Sequence, residues 1–172
     1  SEKARRAALK IPFVEQDMRK LALHRPQDSI ICACDGVNYL DSLKAAEEFF
    51  EAANAALKVG GLLLFDISSQ YKLENILGCN TFAEDEQGGA YIWKNNYDPK
   101  SRLIEMELTF FERQGELYRR FTERHIQRAH GTDELLKALC RAGFDAEAYD
   151  FETMDPVKPD SERVQFSGRK RR

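Results

Sequence analysis

Two apolar runs flanking one amphipathic stretch constrain this chain more than anything else in it. Residues 29–33 (SIICA) form a near-continuous apolar run, as a strand buried on both faces requires. Between 41 and 58 the apolar residues Leu43, Ala46, Phe50, Ala53 and Leu57 fall three and four apart, which puts them on one helix face. Asp41 or Ser42 is placed to cap the start of that helix and Gly60 to close its end. Residues 62–67 (LLLFDI) supply a second buried run. Strand, helix and strand with short connections make a βαβ unit, and that implies a parallel sheet with a right-handed crossover.

The flanking segments have a different character. Residues 2–9 read as the tail of a helix that Pro12 ends, and 13–16 as a short strand leading into Asp17. Residues 78–89, rich in glycine and acid, read as a mobile loop. Residues 91–97 alternate, with Tyr91, Trp93, Asn95 and Tyr97 on one face. Segments 102–113 and 116–128 alternate too, joined around Gln114-Gly115, so this region predicts a three-stranded antiparallel meander. The α/β pattern then resumes. Thr132 caps a helix with Leu135, Leu136, Leu139 and Cys140 inward, Gly143 stops it, and closing strands follow near 145–151 and 162–168.

Composition excludes several classes. The length of 172 residues suits one domain with a sizeable core. A net charge of −3 argues against general nucleic-acid binding, and the basic end at 169–172 reads as a solvated tail. No apolar run approaches the ~20 residues of a membrane helix, and the start (SEKARRAALK) has no signal-peptide core. Four cysteines without a paired framework point to a reducing, cytoplasmic setting. Cys32 and Cys34, sharing one face of a predicted strand, read as buried thiols.

Six segments in one order carry a family resemblance. FVEQDMRKL at 13–21, DSIICACDGVNYL at 28–40 and LKVGGLLLFDISSQYKL at 57–73 are followed by YIWKNNYD, LYRRFTERHIQRAH and DELLKALCRAGF. Together they resemble the class I S-adenosylmethionine-dependent methyltransferases, especially a bacterial small-molecule group, and more distantly the sugar-amine N-methyltransferases. The resemblance covers nearly the whole chain. It implies an α/β fold with a doubly wound, mostly parallel sheet, in which 13–16 is the third strand and 62–67 the fifth. The antiparallel meander is then an insertion, 75–130 forming a loop and lid within a domain spanning 1–172.

One departure matters. The family's glycine-rich loop follows its first strand and an acidic residue ends its second, and by this alignment both fall upstream of Ser1. Gly60-Gly61 lies between a helix and a strand, at the wrong end of a sheet to cradle a ligand, and reads as a helix stop. The expectation is a partial domain with little cofactor affinity. Its unpaired edge at 29–34 would invite self-association.

The resemblance also implies roles. Asp17 and Met18 would meet the adenine edge of S-adenosylmethionine, a carboxylate and an amide complementing one donor and one acceptor. Cys34, Asp35 and Gly36 would border its methionyl part and sulfonium, and Asn38 and Tyr39 would position the methionine carboxylate or the acceptor. Tyr71, Trp93, Glu123 and Arg128 would bind a small-molecule methyl acceptor, and Asp66 and Ser68 border that pocket. No metal is called for. If Gln114-Gly115 is a two-residue turn, Phe110 faces Arg119, Leu108 faces Phe121, Met106 faces Glu123 and Ile104 faces His125. Glu123, His125 and Gln127 then share an otherwise apolar face and need partners. His125 is either the base that takes the acceptor's proton or a half-buried histidine satisfied by Glu123. Three functions stay open: methyl transfer to a nitrogen or oxygen nucleophile, a non-catalytic remnant of the fold, and a nicotinamide-dependent oxidoreductase on a similar sheet.

Overall fold

In the computed structural model, which describes residues 2–171, a short helix α1 (Glu2–Arg6) precedes strand β1 (Gln27–Cys32), and the amphipathic stretch forms α2 (Leu43–Ala56). Ser42 starts α2 by accepting a hydrogen bond from the Ala45 N–H, so the cap falls to the serine. The chain continues through β2 (Leu57–Ser68), β3 (Thr81–Glu86), β4 (Gly89–Asp98), β5 (Leu103–Gln114) and β6 (Leu117–Arg128). Helix α3 (Thr132–Arg141) and strands β7 (Phe144–Asp150) and β8 (Arg163–Lys170) complete it. This is a mixed α/β architecture with two four-stranded sheets.

The first sheet runs β1-β2-β8-β7, with β1 and β2 parallel and β8 antiparallel to both of its neighbours. Strand alternation sends Leu63, Phe65 and Ile67 of β2 and Val164 and Phe166 of β8 to one face. There they meet Phe49 and Phe50 of α2 and Leu135 and Leu139 of α3, all buried. Phe65 and Phe166 stack with centroids 4.7 Å apart. Burial of such side chains stabilises by roughly 1.5–3 kcal/mol each, so this face holds the fold.

The second sheet is antiparallel throughout and runs β3-β4-β5-β6. Tyr97, Ile104 and Met106 on its inner face are buried with Leu73 and Leu77, and Trp93 and Leu108 pack against them. Asn38 and His130 help fasten it to the first sheet's loops. Asn38 Nδ2 donates to the carbonyls of Ser68 and Arg128, both at 3.0 Å, and His130 Nε2 lies 2.9 Å from the Leu40 carbonyl.

Several expectations are corrected. Residues 13–16 form no strand: Phe13 and Val14 are 61% and 72% exposed, and no neighbouring strand offers them a ladder among the described residues. Strand β1 is not buried on both faces, since Ile31 is 69% exposed on this edge strand. Gly60 does not close α2; the helix ends at Ala56, and Gly60, at φ +77°, sits inside β2 where the ladder to β1 is irregular. Residues 81–86, inside the expected loop, form β3, because β4 pairs with them and sets Phe82 opposite Trp93. Gly131 rather than Thr132 precedes α3, and Cys140 is exposed.

The hairpin between β5 and β6 turns one residue later than expected. Gln114 pairs with Leu117, which leaves Gly115-Glu116 as the turn, and Gly115 takes φ +66°, where glycine is favoured. Every cross-strand partner therefore moves by two: Phe110 faces Phe121, Leu108 faces Glu123, Met106 faces His125 and Ile104 faces Gln127. A shift of two preserves the face, so Glu123, His125 and Gln127 still point the same way. Among the described residues no helix is long and apolar enough to cross a membrane.

Candidate functional site

At the carboxyl end of β1 two consecutive non-glycine residues, Cys34 and Asp35, take left-handed conformations with φ of +60° and +49°. Each costs about 1–2 kcal/mol for an L-residue, so something must hold them. The holder is Asp66, buried near the end of β2. Its Oδ1 accepts the Cys34 N–H at 2.9 Å and its Oδ2 the Asp35 N–H at 3.1 Å. Arg163, the first residue of β8, bridges the two carboxylates: Nη1 is 2.8 Å from Asp66 Oδ2 and Nη2 is 3.1 Å from Asp35 Oδ1. Gly36 follows where the backbone crowds Cys32, since a Cβ there would lie 2.7 Å from the Cys32 Sγ. Asn38 is fully buried, and its side chain is engaged by Ser68 and Arg128 main-chain groups.

Between this loop and the inner face of the second sheet lies a cleft of about 300 Å³, lined by Asp35, Tyr39, Trp93, Met106, His125 and Gln127 among others. Tyr39 Oη is 3.0 Å from His125 Nδ1, and the rings meet edge to face. On the other side of the imidazole, Nε2 lies 3.4 Å from Glu123 Oε2. A proton on Nε2 facing that carboxylate leaves Nδ1 free to accept from the Tyr39 hydroxyl. Burial raises the Tyr39 phenol above its usual pKa, with Gln127 pulling it back, so the phenol keeps its proton at neutral pH. Tyr39, His125 and Glu123 thus form a chain able to pass a proton away from the cleft.

Asp17 and Met18 approach from a different segment. Asp17 caps a single 3-10 turn at Met18–Lys20, and hydrogen bonds from Arg19 hold its carboxyl at about 2. Asp17, Met18 and Tyr39 line one hollow of about 340 Å³ beside the cleft. Trp93 and Glu123 belong to the cleft's sheet. Neither Tyr71 nor Arg128 lines the cleft: Tyr71 is 37% exposed, and Arg128 turns its guanidinium to the Ser101 carbonyl. Cys34 is exposed rather than a buried thiol, whereas Cys32 is half-buried and its thiol is pushed up to about 11, chiefly by burial. Sequence reasoning missed Arg163. A charge opening a strand that should be buried was the only signal it offered.

No family model matches the sequence. The chain is 32% identical over 163 residues to YqeM of Bacillus subtilis (strain 168), covering 93% of this chain and 66% of that protein. It is also 32% identical over 170 residues to a protein of Geobacillus sp. (strain WCH70), covering 98% and 69%. Both bear provisional methyltransferase names, and the chain spans about two thirds of their length. A solved S-adenosylmethionine-dependent methyltransferase from Clostridium acetobutylicum ATCC 824 superimposes with a TM-score of 0.94 at 32% identity, over 99% of this chain and 69% of that one. The sugar N-methyltransferase KedS8 from Streptoalloteichus sp ATCC 53650 shares the fold, with a TM-score of 0.76 at 20% identity over 99% and 67%.

Proposed function

The chain belongs to the S-adenosylmethionine-dependent methyltransferases, and from that premise we propose that its cleft serves methyl transfer to a nitrogen or oxygen nucleophile of a small molecule. The observation that carries this reading is the 3.0 Å contact between Tyr39 and His125, backed by Glu123 and facing the loop at Cys34–Gly36. The residues present fit the cofactor. A side chain at Gly36 would meet the Cys32 Sγ, so the loop stays small there, and acceptor oxygens of Asp17 and the loop suit an adenine amino group and a sulfonium. Asp17 and Met18 would hold the adenine end, and Cys34, Asp35 and Gly36 would border the methionyl end, with Asn38 fixing the loop between them.

S-adenosylmethionine supplies a methyl group already activated on a sulfonium. The protein therefore has two tasks, alignment and removal of the acceptor's proton. Trp93, Met106 and Leu108 give the acceptor an apolar wall. The Tyr39 oxygen takes the acceptor's proton as its own hydroxyl proton passes to His125 Nδ1, and Glu123 stabilises the imidazolium that results. Residues 75–130 act as the lid over this site.

The test is a methyl-acceptor screen of small amines and alcohols with labelled S-adenosylmethionine, on a form extended to carry the family's glycine-rich loop, repeated with His125→Gln. Turnover on some member of the panel, cut by about 10²–10⁴ in the variant, is the expected result. Undiminished turnover in His125→Gln would remove the relay from the chemistry.

A further inference from the structure

We infer that Asp35, through Arg163 and Gln127, is a positioning residue that clasps the strand carrying His125 to the loop carrying Tyr39; this rests on the methyl-transfer reading of the cleft. Both oxygens of the Asp35 carboxylate have partners. Oδ1 receives Arg163 Nη2 at 3.1 Å, and Oδ2 receives Gln127 Nε2 at 2.6 Å. Gln127 lies two residues beyond His125 on the same face of β6, and Asp35 lies four residues before Tyr39.

The contacts Asp35–Gln127 and Tyr39–His125 therefore tie the same two segments at two points beyond the bond from Asn38 to the Arg128 carbonyl. One tie leaves a hinge, whereas several fix both distance and angle. That matters because a relay works only with its heavy atoms inside hydrogen-bond range. Arg163 supplies the rigid end. Its guanidinium forks between Asp35 and the buried Asp66, so the clasp is anchored in the first sheet rather than floating on a loop. The buried Asn38 holds the frame around it, and the Asp35–Gln127 contact lines the cleft itself. Asp35 thus acts on the reaction through Tyr39 and His125.

The clasp is tested by amide hydrogen exchange, which needs neither cofactor nor acceptor. Gln127→Met keeps the volume and removes the contact from the lid end. Asp35→Gly removes it from the loop end without straining a left-handed residue. Coupling between two segments is reciprocal. Gln127→Met should therefore speed exchange at residues 33–37, and Asp35→Gly at residues 123–128, each by about fivefold. Exchange in α2 should stay unchanged in both. If each variant loosens only its own segment, the contact is local and the clasp is refuted. Should Asp35→Gly fail to fold, Gln127→Met decides alone. Because exchange is read without turnover, an uncoupled result leaves the methyl-transfer reading standing, and an inactive cleft leaves the clasp standing.

Discussion

Tyr39 Oη and His125 Nδ1 lie 3.0 Å apart although 86 residues separate them in sequence. One belongs to the loop after β1 and the other to β6, so the contact exists only when the second sheet sits over the end of the first. A relay made of two groups behaves as a unit, and removing either breaks it. Tyr39→Phe, His125→Gln and the double variant should therefore lower kcat by similar factors. Measured turnover in the double variant equal to the product of the two single losses would mean that the residues act independently.

Asp66 carries three contacts at once. It accepts two backbone N–H groups from a strained turn and pairs with Arg163, while its side chain is only 6% exposed. Asp66→Ala leaves those two N–H groups without their acceptor, while the partly exposed Arg163 keeps Asp35 as a partner. Stability should therefore fall by about 1–3 kcal/mol. Urea unfolding followed by circular dichroism gives the value, and a loss below about 1 kcal/mol would show that Arg163 and the turn find other partners.

How much of this was legible in the sequence depended on the range of the interaction. The βαβ unit announced itself because its apolar spacing is local, and Glu123, His125 and Gln127 shared a face whichever turn was assumed. Residues 13–16 had strand-like composition but no neighbour to pair with, and composition cannot report a neighbour. Strand β3, with three acids in six residues, exists because Trp93 and the rest of β4 lie beside it. Arg163 was hidden for the same reason, since it meets Asp35 across 128 residues and looks locally like any solvated strand end.

His130 gives the fold an acid limit. It is fully buried, Nε2 bonds the Leu40 carbonyl, and Nδ1 lies 3.7 Å from Glu134, too far for a hydrogen bond. Burial lowers its pKa from 6.5 to about 4. Between those values the unfolded chain binds one proton more than the folded chain, so stability falls as pH drops from about 6.5 to about 4. The loss from this group is about 3 kcal/mol at most. Urea midpoints at pH 7 and pH 4.5 (both within or above that window) should differ more in the wild type than in His130→Gln, which keeps a donor but cannot titrate. Equal losses in the two proteins would assign the acid sensitivity elsewhere.

The tight turn at Gly36 offers the last prediction. Gly36 itself needs no special backbone angle, for it is absent from the residues at positive φ. Its requirement is space: an added Cβ would stand 2.7 Å from the Cys32 Sγ, well inside contact distance. Cys32 in turn is half-buried and packs against the core cluster that includes Leu63 and Phe65, which limits where its thiol can go. Gly36→Ala should therefore destabilise the protein by about 1–3 kcal/mol, the usual cost of overpacking. Cys32→Ala removes the obstructing sulfur at the cost of a small void. If the clash is the cause, Gly36→Ala should cost much less in the Cys32→Ala background than in the wild type, and the double-mutant cycle closes with a favourable coupling. Thermal or urea unfolding of the four proteins measures it. A Gly36→Ala penalty that is the same in both backgrounds would place the need for glycine in the main chain rather than in the space beside Cys32.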